Sequence, residues 1–511
     1  MKRIIIYALV FYFFIQLNAN SSFSHQTNKY CKNEYESLSI LKNSSDLIQI
    51  DINVPPSGTQ SVVYTEGAPE GISLDLYWQY PWHQSGIGKR KTGRYLVNEL
   101  LLKEKLPDRL GSYSNRQYIP PDIRLNGHVL LPEGAHRLFL KIRTSRDVPT
   151  GVQECKIILK NSDTRVIKKI CIEVLNEVLP EPDRDFIIYY RGARDKSSTD
   201  HVSEIVQRKE LQDIKDHGFT GFTIYDKEES IINNIILYAD SIGLNNPIVI
   251  MKHPNGDQNL NIQNRTNIVF YGADEPNSLK KLESHKKKVE KPLKQGFSAV
   301  TAIDWRWFYL WISSMPDHSG KIIGNLRLGK SFRCSHAFEL SKNMSETIFK
   351  NKLYYYWPLK LEKPLLHRLL SGLALFVSGF DGVFPYVYRH APGFPFDPYN
   401  DFQPYGADGE NRYMHIVYPS LNGTVSTIQW ESLSQGIIDY RHLQLLQSKM
   451  SSPETKNKEE IMAFLKNLKD KISICDIEIN APDKTKPLDF VNDEYFKNLR
   501  DKTLSLVKKS L

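Results

Sequence analysis

Two carboxylates stand side by side in the stretch NIVFYGADEPN, residues 267–277. Asp274 and Glu275 follow a short apolar run, Ile268 to Tyr271, and two small residues, Gly272 and Ala273. An apolar run of that length, bounded by small residues, reads as a buried strand. Side chains alternate along a strand, so adjacent acids can share one pocket only where the chain leaves the sheet. Gly272 and Ala273 permit that bend. Pro276 biases Glu275 toward an extended backbone, because the proline ring disfavours the helical region for the residue before it. In a shared pocket one ionised acid raises the pKa of its neighbour. A raised pKa is what a general acid needs near neutral pH. On spacing alone, Asp-Glu-Pro also reads as an exposed loop that starts a helix, its charges favoured by the helix dipole.

The elements that would position the pair follow a regular plan. From residue 186 onward strand-like runs alternate with helical periodicity. FIIYY, FTGFTIYD, PIVIM, IVFYG, FSAVTAID, KIIGN, KLYYYW and DGVFPYV give about eight strands up to residue 447. Helices such as EIVQRKELQDIKDHG and KPLLHRLLSGLALFVSG lie between them. The third helix reads as short or missing, and residues 303–350 resist assignment. The alternation predicts a TIM-like (β/α)₈ barrel over 186–447, with a doubly wound open sheet as the other arrangement. No GxGxxG or Walker pattern supports the open sheet. In such a barrel the active site lies at the C-terminal ends of the strands, where Asp274 and Glu275 fall.

Before the barrel the pattern is all-β. SVVYTEG, GISLDLYW, HVLLPEG, HRLFLKIRT, VQECKIILKN and RVIKKICIEVLN alternate between turn signals, which predicts a sandwich over residues 30–180. The segment LPEPDRD, residues 179–185, reads as the boundary. Residues 452–511 read as a C-terminal helical extension. At the start, Lys2 and Arg3 precede a largely apolar stretch, Ile4 to Leu17, and Ala19 offers a cleavage point. That is the plan of a signal peptide over residues 1–19, hence of an exported protein, with an uncleaved anchor as the alternative. The stretch is shorter than the ~20 residues a membrane span needs, and no later segment is apolar enough, so no stable span is expected after cleavage.

Composition narrows the classes. The 511 residues carry a net charge of +9, 41% apolar residues and 27 tyrosines, as suits a two-domain globular protein. The positive charge is scattered. Its densest run, Lys286-Lys287-Lys288, falls on a helix and reads as a solvated face; acidic polysaccharide is a weakly indicated partner. No nucleic-acid pattern of basic and aromatic residues is present. The five cysteines and the histidines show no ligand spacing, so no metal and no cofactor are expected. Cys155 and Cys171 sit on neighbouring strands and are positioned to pair after export.

Other candidates sit at strand ends. Arg191 follows strand 1 and reads equally as a ligand contact or as an exposed loop arginine. Tyr271 closes strand 4. Tyr225 and Asp226 end strand 2, where a turn is the simpler reading. Trp305 and Trp307 follow strand 5 and Trp357 ends strand 7; all three suit stacking on a ligand ring or plain core packing. Asp381 and Gly382 read as the entry to strand 8. Glu431, Asp439 and Arg441, on the last helix, read as ion-pair residues.

YGADEPN resembles the strand-4 signature of glycoside hydrolase family 123, once catalogued only as a domain of unknown function. SGFDGVFPY at 378–386, YGADGENRYMHIVYPS at 405–420 and STIQWESLSQGIIDYRHLQLL at 426–446 resemble later stretches of that family, in order. DVPTGVQECKIILK at 147–160 resembles its N-terminal sandwich. The resemblance implies retaining hydrolysis of β-linked N-acetylgalactosamine by substrate assistance: the sugar's own acetamido oxygen attacks the anomeric carbon. By the resemblance Asp274 orients and stabilises the oxazolinium-like intermediate and Glu275 protonates the leaving oxygen. At strand 8 this chain has Pro385 and Tyr386 where the family commonly has tyrosine and tryptophan; Tyr386 is the expected sugar platform. Two other readings stay open. One is an inactive barrel that binds glycans or serves as a surface-structural protein. The other is a hydrolase of sugars without the acetamido group, with Asp381 or Asp304 as nucleophile.

Overall fold

The computed structural model describes residues 35–54, 61–85, 94–103, 111–114, 117–123, 128–160, 165–252, 267–304, 307–308, 310–311, 322–327, 351–359, 363–390, 398–399, 416–473 and 491–510. Residues 1–34, with the expected signal peptide, lie outside the described residues, as do Cys31, Cys334 and Cys475.

Alternating residues of the N-terminal half bury one face of each strand. Five strands make one sheet, in the order Tyr35–Lys42, Arg165–Val178, Gly151–Lys160, Ser61–Glu66 and Val129–Leu131. A second sheet runs Ser45–Val54, Gly134–Thr144, Ile72–Ser85, Arg94–Leu102, Gly423–Thr427 and Tyr418–Ser420. Their inner faces share one core, with Ile50, Leu138 and Leu140 from the second sheet against Ile157, Ile170 and Ile172 from the first. This is a β-sandwich. Its last two strands come from beyond the barrel: Ser426 pairs with Leu101 and Thr427 with Leu100. The sandwich is therefore completed by chain from far downstream.

Cys155 and Cys171 are both free. Glu154 is the residue opposite Cys171, while Cys155 stands opposite Ile170. An offset of one residue puts the two thiols on opposite faces of the sheet, which corrects the expectation of a disulfide.

Eight short parallel strands close a barrel: Asp185–Ile188, Gly221–Ile224, Ile248–Ile250, Ile268–Asp274, Ser298–Ile303, Ile322–Arg327, Leu353–Tyr356 and Gly382–Val383. They are the eight runs the sequence marks, numbered here barrel strands 1 to 8. Closure comes from Asp185 opposite Gly382 and Phe186 opposite Val383. Gly382 is required at the seam, because a Cβ there would stand 2.2 Å from the Asp185 carbonyl oxygen. Odd-numbered residues of strand 4, Val269 and Tyr271, point inward, while Ile268 and Phe270 face the outer helices. Helices Glu204–Asp216, Glu229–Ser241 and Leu279–Lys294 follow strands 1, 2 and 4. The connection after strand 3, where the sequence shows a short or missing helix, spans residues 253–266 and lies outside the described residues, as does most of 303–350.

The final barrel helix, Ile428–Ser451, is buried from Ile428 through Leu443. It has no solvated face because it lies between sandwich and barrel: Ile428 joins Tyr77, Leu101 and Phe139 of the second sheet, and Tyr440 meets Phe186 of barrel strand 1. Two of its buried charged residues, Asp439 and Arg441, are held by partners from elsewhere in the chain. Arg368 holds Asp439 with two hydrogen bonds of 2.6 and 2.9 Å. Arg441 donates to the carbonyls of Asn43, Leu179 and Pro180, so it ties down the interdomain segment rather than forming an ion pair. Among the described residues no helix is long and apolar enough to cross a membrane.

Candidate active site

Barrel strands 4 and 5 fall out of step near their C-terminal ends. Tyr271 stands opposite Val300, but Asp274 stands opposite Ala302, so three steps on strand 4 match two on strand 5. That is a β-bulge, a device that re-aims a side chain beside functional sites. In strict alternation Asp274 would face the opposite way from Tyr271. The bulge turns it to the same side, and Tyr271 Oη donates to Asp274 Oδ1 at 3.0 Å. One residue on, the Glu275 amide donates to the Ala302 carbonyl at 3.0 Å. Glu275 has φ +41°, in the left-handed region. This corrects the extended backbone expected from Pro276. Such a conformation costs on the order of 1–3 kcal/mol in a non-glycine residue, and such outliers cluster at functional sites. Bulge and left-handed turn together bring both carboxylates to one cavity.

The cavity has a volume of about 750 Å³ and lies at the mouth of the barrel. Arg191, Tyr271, Asp274, Glu275 and Tyr386 all line it, together with Tyr189, Tyr225, Met251 and Tyr356. The remaining expected contacts differ. Trp357 is fully buried, and its Nε1 donates to His367 Nδ1 at 3.2 Å. Strand alternation explains this correction: Tyr354 and Tyr356 point into the barrel, so Tyr355 and Trp357 point out to the helix layer. Trp305 lies outside the described residues. Trp307 packs against the outer core. Asp381 sits at the opposite end of the barrel, where it accepts from Arg184 and from the Leu353 amide.

The carboxylates are held by tyrosines. Tyr356 Oη donates to Glu275 Oε1. Behind Tyr271 a chain of donors runs across the barrel: Asn325 Nδ2 to Tyr189 Oη at 3.4 Å, Tyr189 Oη to Tyr271 Oη at 3.2 Å, then Tyr271 to Asp274. Burial pushes the Tyr189 and Tyr271 hydroxyls well above the usual phenol range, so both stay protonated and donate. Asp274 is the acceptor at the end of this chain.

The opposite wall is built on Arg191. Its Nε donates to Asp200 Oδ2 at 3.0 Å and its Nη1 to Tyr386 Oη at 3.1 Å. Its guanidinium lies 5.2 Å from the centre of the Tyr225 ring. Burial opposes the charge, but Asp200, Tyr386 and Tyr225 together outweigh it and hold Arg191 firmly protonated. Arg191 thus fixes two cavity tyrosines. Asp226 is a loop-forming residue: its Oδ1 accepts from the amides of Arg194 and Asp195.

Several lining residues escaped the sequence. Tyr189 and Tyr356 lie one turn of the alternation below the strand ends, and counting back in twos from Arg191 or Pro358 would have found them. Lys252, Lys281, Ser284 and Lys288 line the flank nearest strand 4. Among the described residues no group of three His, Cys, Asp or Glu is placed to hold a metal ion.

No family model matches this sequence, and no curated protein matches it. Among solved structures, a family 123 glycoside hydrolase from Clostridium perfringens, described for glycolipid glycan hydrolysis, aligns over 93% of this chain and 96% of its own, with TM-score 0.59 and 11% identity. The two share a fold. A putative alpha-galactosidase from Bacteroides fragilis aligns over 80% of this chain and 77% of its own at 10% identity, with TM-score 0.23. A putative beta-galactosidase from Bacteroides fragilis covers 69% of this chain and 54% of its own at 10% identity, with TM-score 0.28. Similarity that low carries nothing further. The first match establishes the sandwich-and-barrel architecture; at its identity the chemistry rests on the site.

Proposed function

We propose that the protein is an exported glycosidase that releases β-linked N-acetylhexosamine with the substrate's acetamido group as nucleophile. One observation carries this reading: the bulge and the left-handed turn spend conformational energy to aim adjacent carboxylates into one aromatic-lined cavity. Tyr271 and Tyr356 each hold one of them. A retaining enzyme with its own nucleophile places two acids on opposite sides of the bond, about 5 Å apart. Adjacent acids suit a substrate that attacks itself. Asp274 would accept the acetamido N–H and stabilise the positive charge of the cyclised intermediate. Glu275 would give its proton to the leaving oxygen and then take one from the water that opens the ring. Among the described residues the cavity lining has no third carboxylate to act as a nucleophile. That weighs against the alternative that acts on sugars without an acetamido group. Export rests on the charged and apolar order of residues 2–19.

The test is hydrolysis of aryl β-glycosides with and without a 2-acetamido group. Activity confined to acetamido sugars, inhibited by a thiazoline analogue, is the expected result. Glu275→Gln and Asp274→Asn should each lower kcat by roughly 10²–10⁴. Equal activity on sugars lacking the acetamido group would overturn the mechanism, and no activity on any glycoside would favour an inactive glycan-binding barrel.

A further inference from the structure

The helix Leu279–Lys294, which follows the acidic pair, carries seven lysines and two glutamates. Its buried stripe is Leu282, His285, Val289 and Leu293, packed on the barrel. Beside that stripe, Lys281, Ser284 and Lys288 fall on one face at helical spacing, and all three line the cavity that holds Asp274 and Glu275. Lys252, just beyond barrel strand 3, joins them from the neighbouring strand end. Lys288, from the run that the sequence presents as a solvated face, thus borders the candidate site.

Three features make this flank more than a scatter of surface lysines. First, among the described residues none of Lys252, Lys281 and Lys288 forms an ion pair, whereas the cavity's arginine, Arg191, is neutralised by Asp200. Secondly, Lys280 and Lys281 occupy the first turn of the helix, which has no acidic residue. The exposed amides there already make a positive end, so lysine is the disfavoured sign at that position. Thirdly, Lys252, Lys281 and Lys288 all border one concavity, so the flank beside the two carboxylates carries three positive charges.

We propose that this flank reads a negative charge on the glycan, a sulfate ester or a uronate carboxylate, on or next to the sugar bound at the acidic pair. This rests on the glycosidase reading and narrows its substrate to anionic glycans. Lys281 and Lys288 approach from the helix and Lys252 from the strand side, so the anion sits between two elements. Exposed ammonium groups bind weakly one by one, and their joint effect shows as selectivity and as salt dependence.

The experiment uses the full chain carrying Glu275→Gln, to prevent turnover, and calorimetric binding of three chondroitin-type tetrasaccharides. One is sulfated, one carries uronate carboxylates only, and one is carboxyl-reduced and neutral. At about 50 mM salt, at least one anionic ligand should bind about tenfold more tightly than the neutral one. The gap should narrow severalfold at about 300 mM salt. Adding Lys281→Ala and Lys288→Ala should abolish it, with the melting temperature checking that the variant is folded. The sulfated and uronate arms identify which anion is read. Equal or absent binding across the three, or a preference that survives loss of the lysines, overturns the proposal. Parallel assays of the unmutated protein separate the two readings. Charge-selective binding without hydrolysis of any acetamido sugar would sink the glycosidase and keep the anion site. Hydrolysis with no charge selectivity would do the reverse.

Discussion

Tyr271 and Asp274 are three residues apart on one strand, yet the Tyr271 hydroxyl donates to the Asp274 carboxylate at 3.0 Å. Only the bulge opposite Val300 and Ala302 makes that contact possible. Tyr271→Phe removes the donor and leaves the ring in the barrel. A hydrogen bond to a charged group is worth about 1.5–3 kcal/mol. If Asp274 acts on the developing charge, kcat on an acetamido aryl glycoside should fall at least about tenfold with a small change in KM. Tyr189→Phe, one step further back, should have a weaker effect in the same direction. An unchanged kcat in Tyr271→Phe would mean that the contact does not tune the reaction.

The cavity walls make a second, contrasting pair of predictions. Tyr386 faces the cavity and is held by Arg191, while Trp357 is enclosed outside the barrel. Tyr386→Ala should raise KM severalfold, since a stacking and hydrogen-bonding surface is lost, and should leave the melting temperature near that of the unmutated protein. Trp357→Ala should do the opposite, with a loss of about 3–5 kcal/mol in stability. Denaturant unfolding and Michaelis kinetics on both variants check this. A KM effect in folded Trp357→Ala as large as that in Tyr386→Ala would place Trp357 in contact with substrate after all.

Why the sequence marks the acidic pair at a strand end but misplaces Trp357 is a matter of range. The eight barrel strands are short apolar runs between turn and helix signals, and that information is local. The acidic pair is also local: two small residues, then Asp-Glu-Pro. The alternation that sends Trp357 outward is readable in Tyr354 to Trp357 once the inward phase is known, but the phase is set by neighbours across the sheet. The bulge is less legible still, because it is a register difference between strands 4 and 5. The same limit hid the fate of residues 418–427, which leave the barrel to pair with Leu100 and Leu101, more than three hundred residues upstream. Cys155 and Cys171 were adjacent in strand order, and only the register of Glu154 with Cys171 separates them.

Gly272 is where strand 4 touches the helix that bears the lysines. A Cβ at this position would stand 1.5 Å from His285 Cε1. Burial, with Lys288 adding to it, lowers the His285 pKa to about 3, so the ring is neutral and fixed by packing. Gly272→Ala should therefore push strand and helix apart, with a loss of about 1–3 kcal/mol and weaker activity. His285→Ala makes room for the new methyl group. The double variant should lose less than the sum of the two single losses, by about 0.5 kcal/mol or more. Strict additivity in urea unfolding would show that the two residues do not meet in solution.

The joint between sandwich and barrel is built on charge, and this fixes a pH dependence. Lys141 points away from the sandwich core and is fully buried, with its Nζ 2.8 Å from Glu431 Oε2. His217, from the first barrel helix, reaches Glu431 Oε1 at 3.1 Å and Asp213 at 3.2 Å. Two cations thus face two carboxylates, with Ser426 donating to Glu431 and Tyr388 and Trp430 to Asp213. Burial and Lys141 oppose the imidazolium, but Asp213 and Glu431 outweigh them and raise its pKa from 6.5 to about 9. A raised folded-state pKa gives stability that is complete below about pH 6.5 and is lost as pH rises toward 9. Burial alone would raise Glu431, yet Lys141 and His217 hold it far below the carboxylate range. Its contribution is present above the unfolded value of 4.5 and disappears as pH falls below it. The melting temperature should therefore be highest between these limits and decline through pH 7–9, with the alkaline decline reduced in His217→Gln. Lys141→Met strands Glu431 without its lysine and should cost about 3–5 kcal/mol, whereas Lys141→Met with Glu431→Leu should cost less. A melting temperature that is flat from pH 6.5 to 9, or a decline that His217→Gln leaves intact, would show that this cluster does not carry the pH dependence of folding.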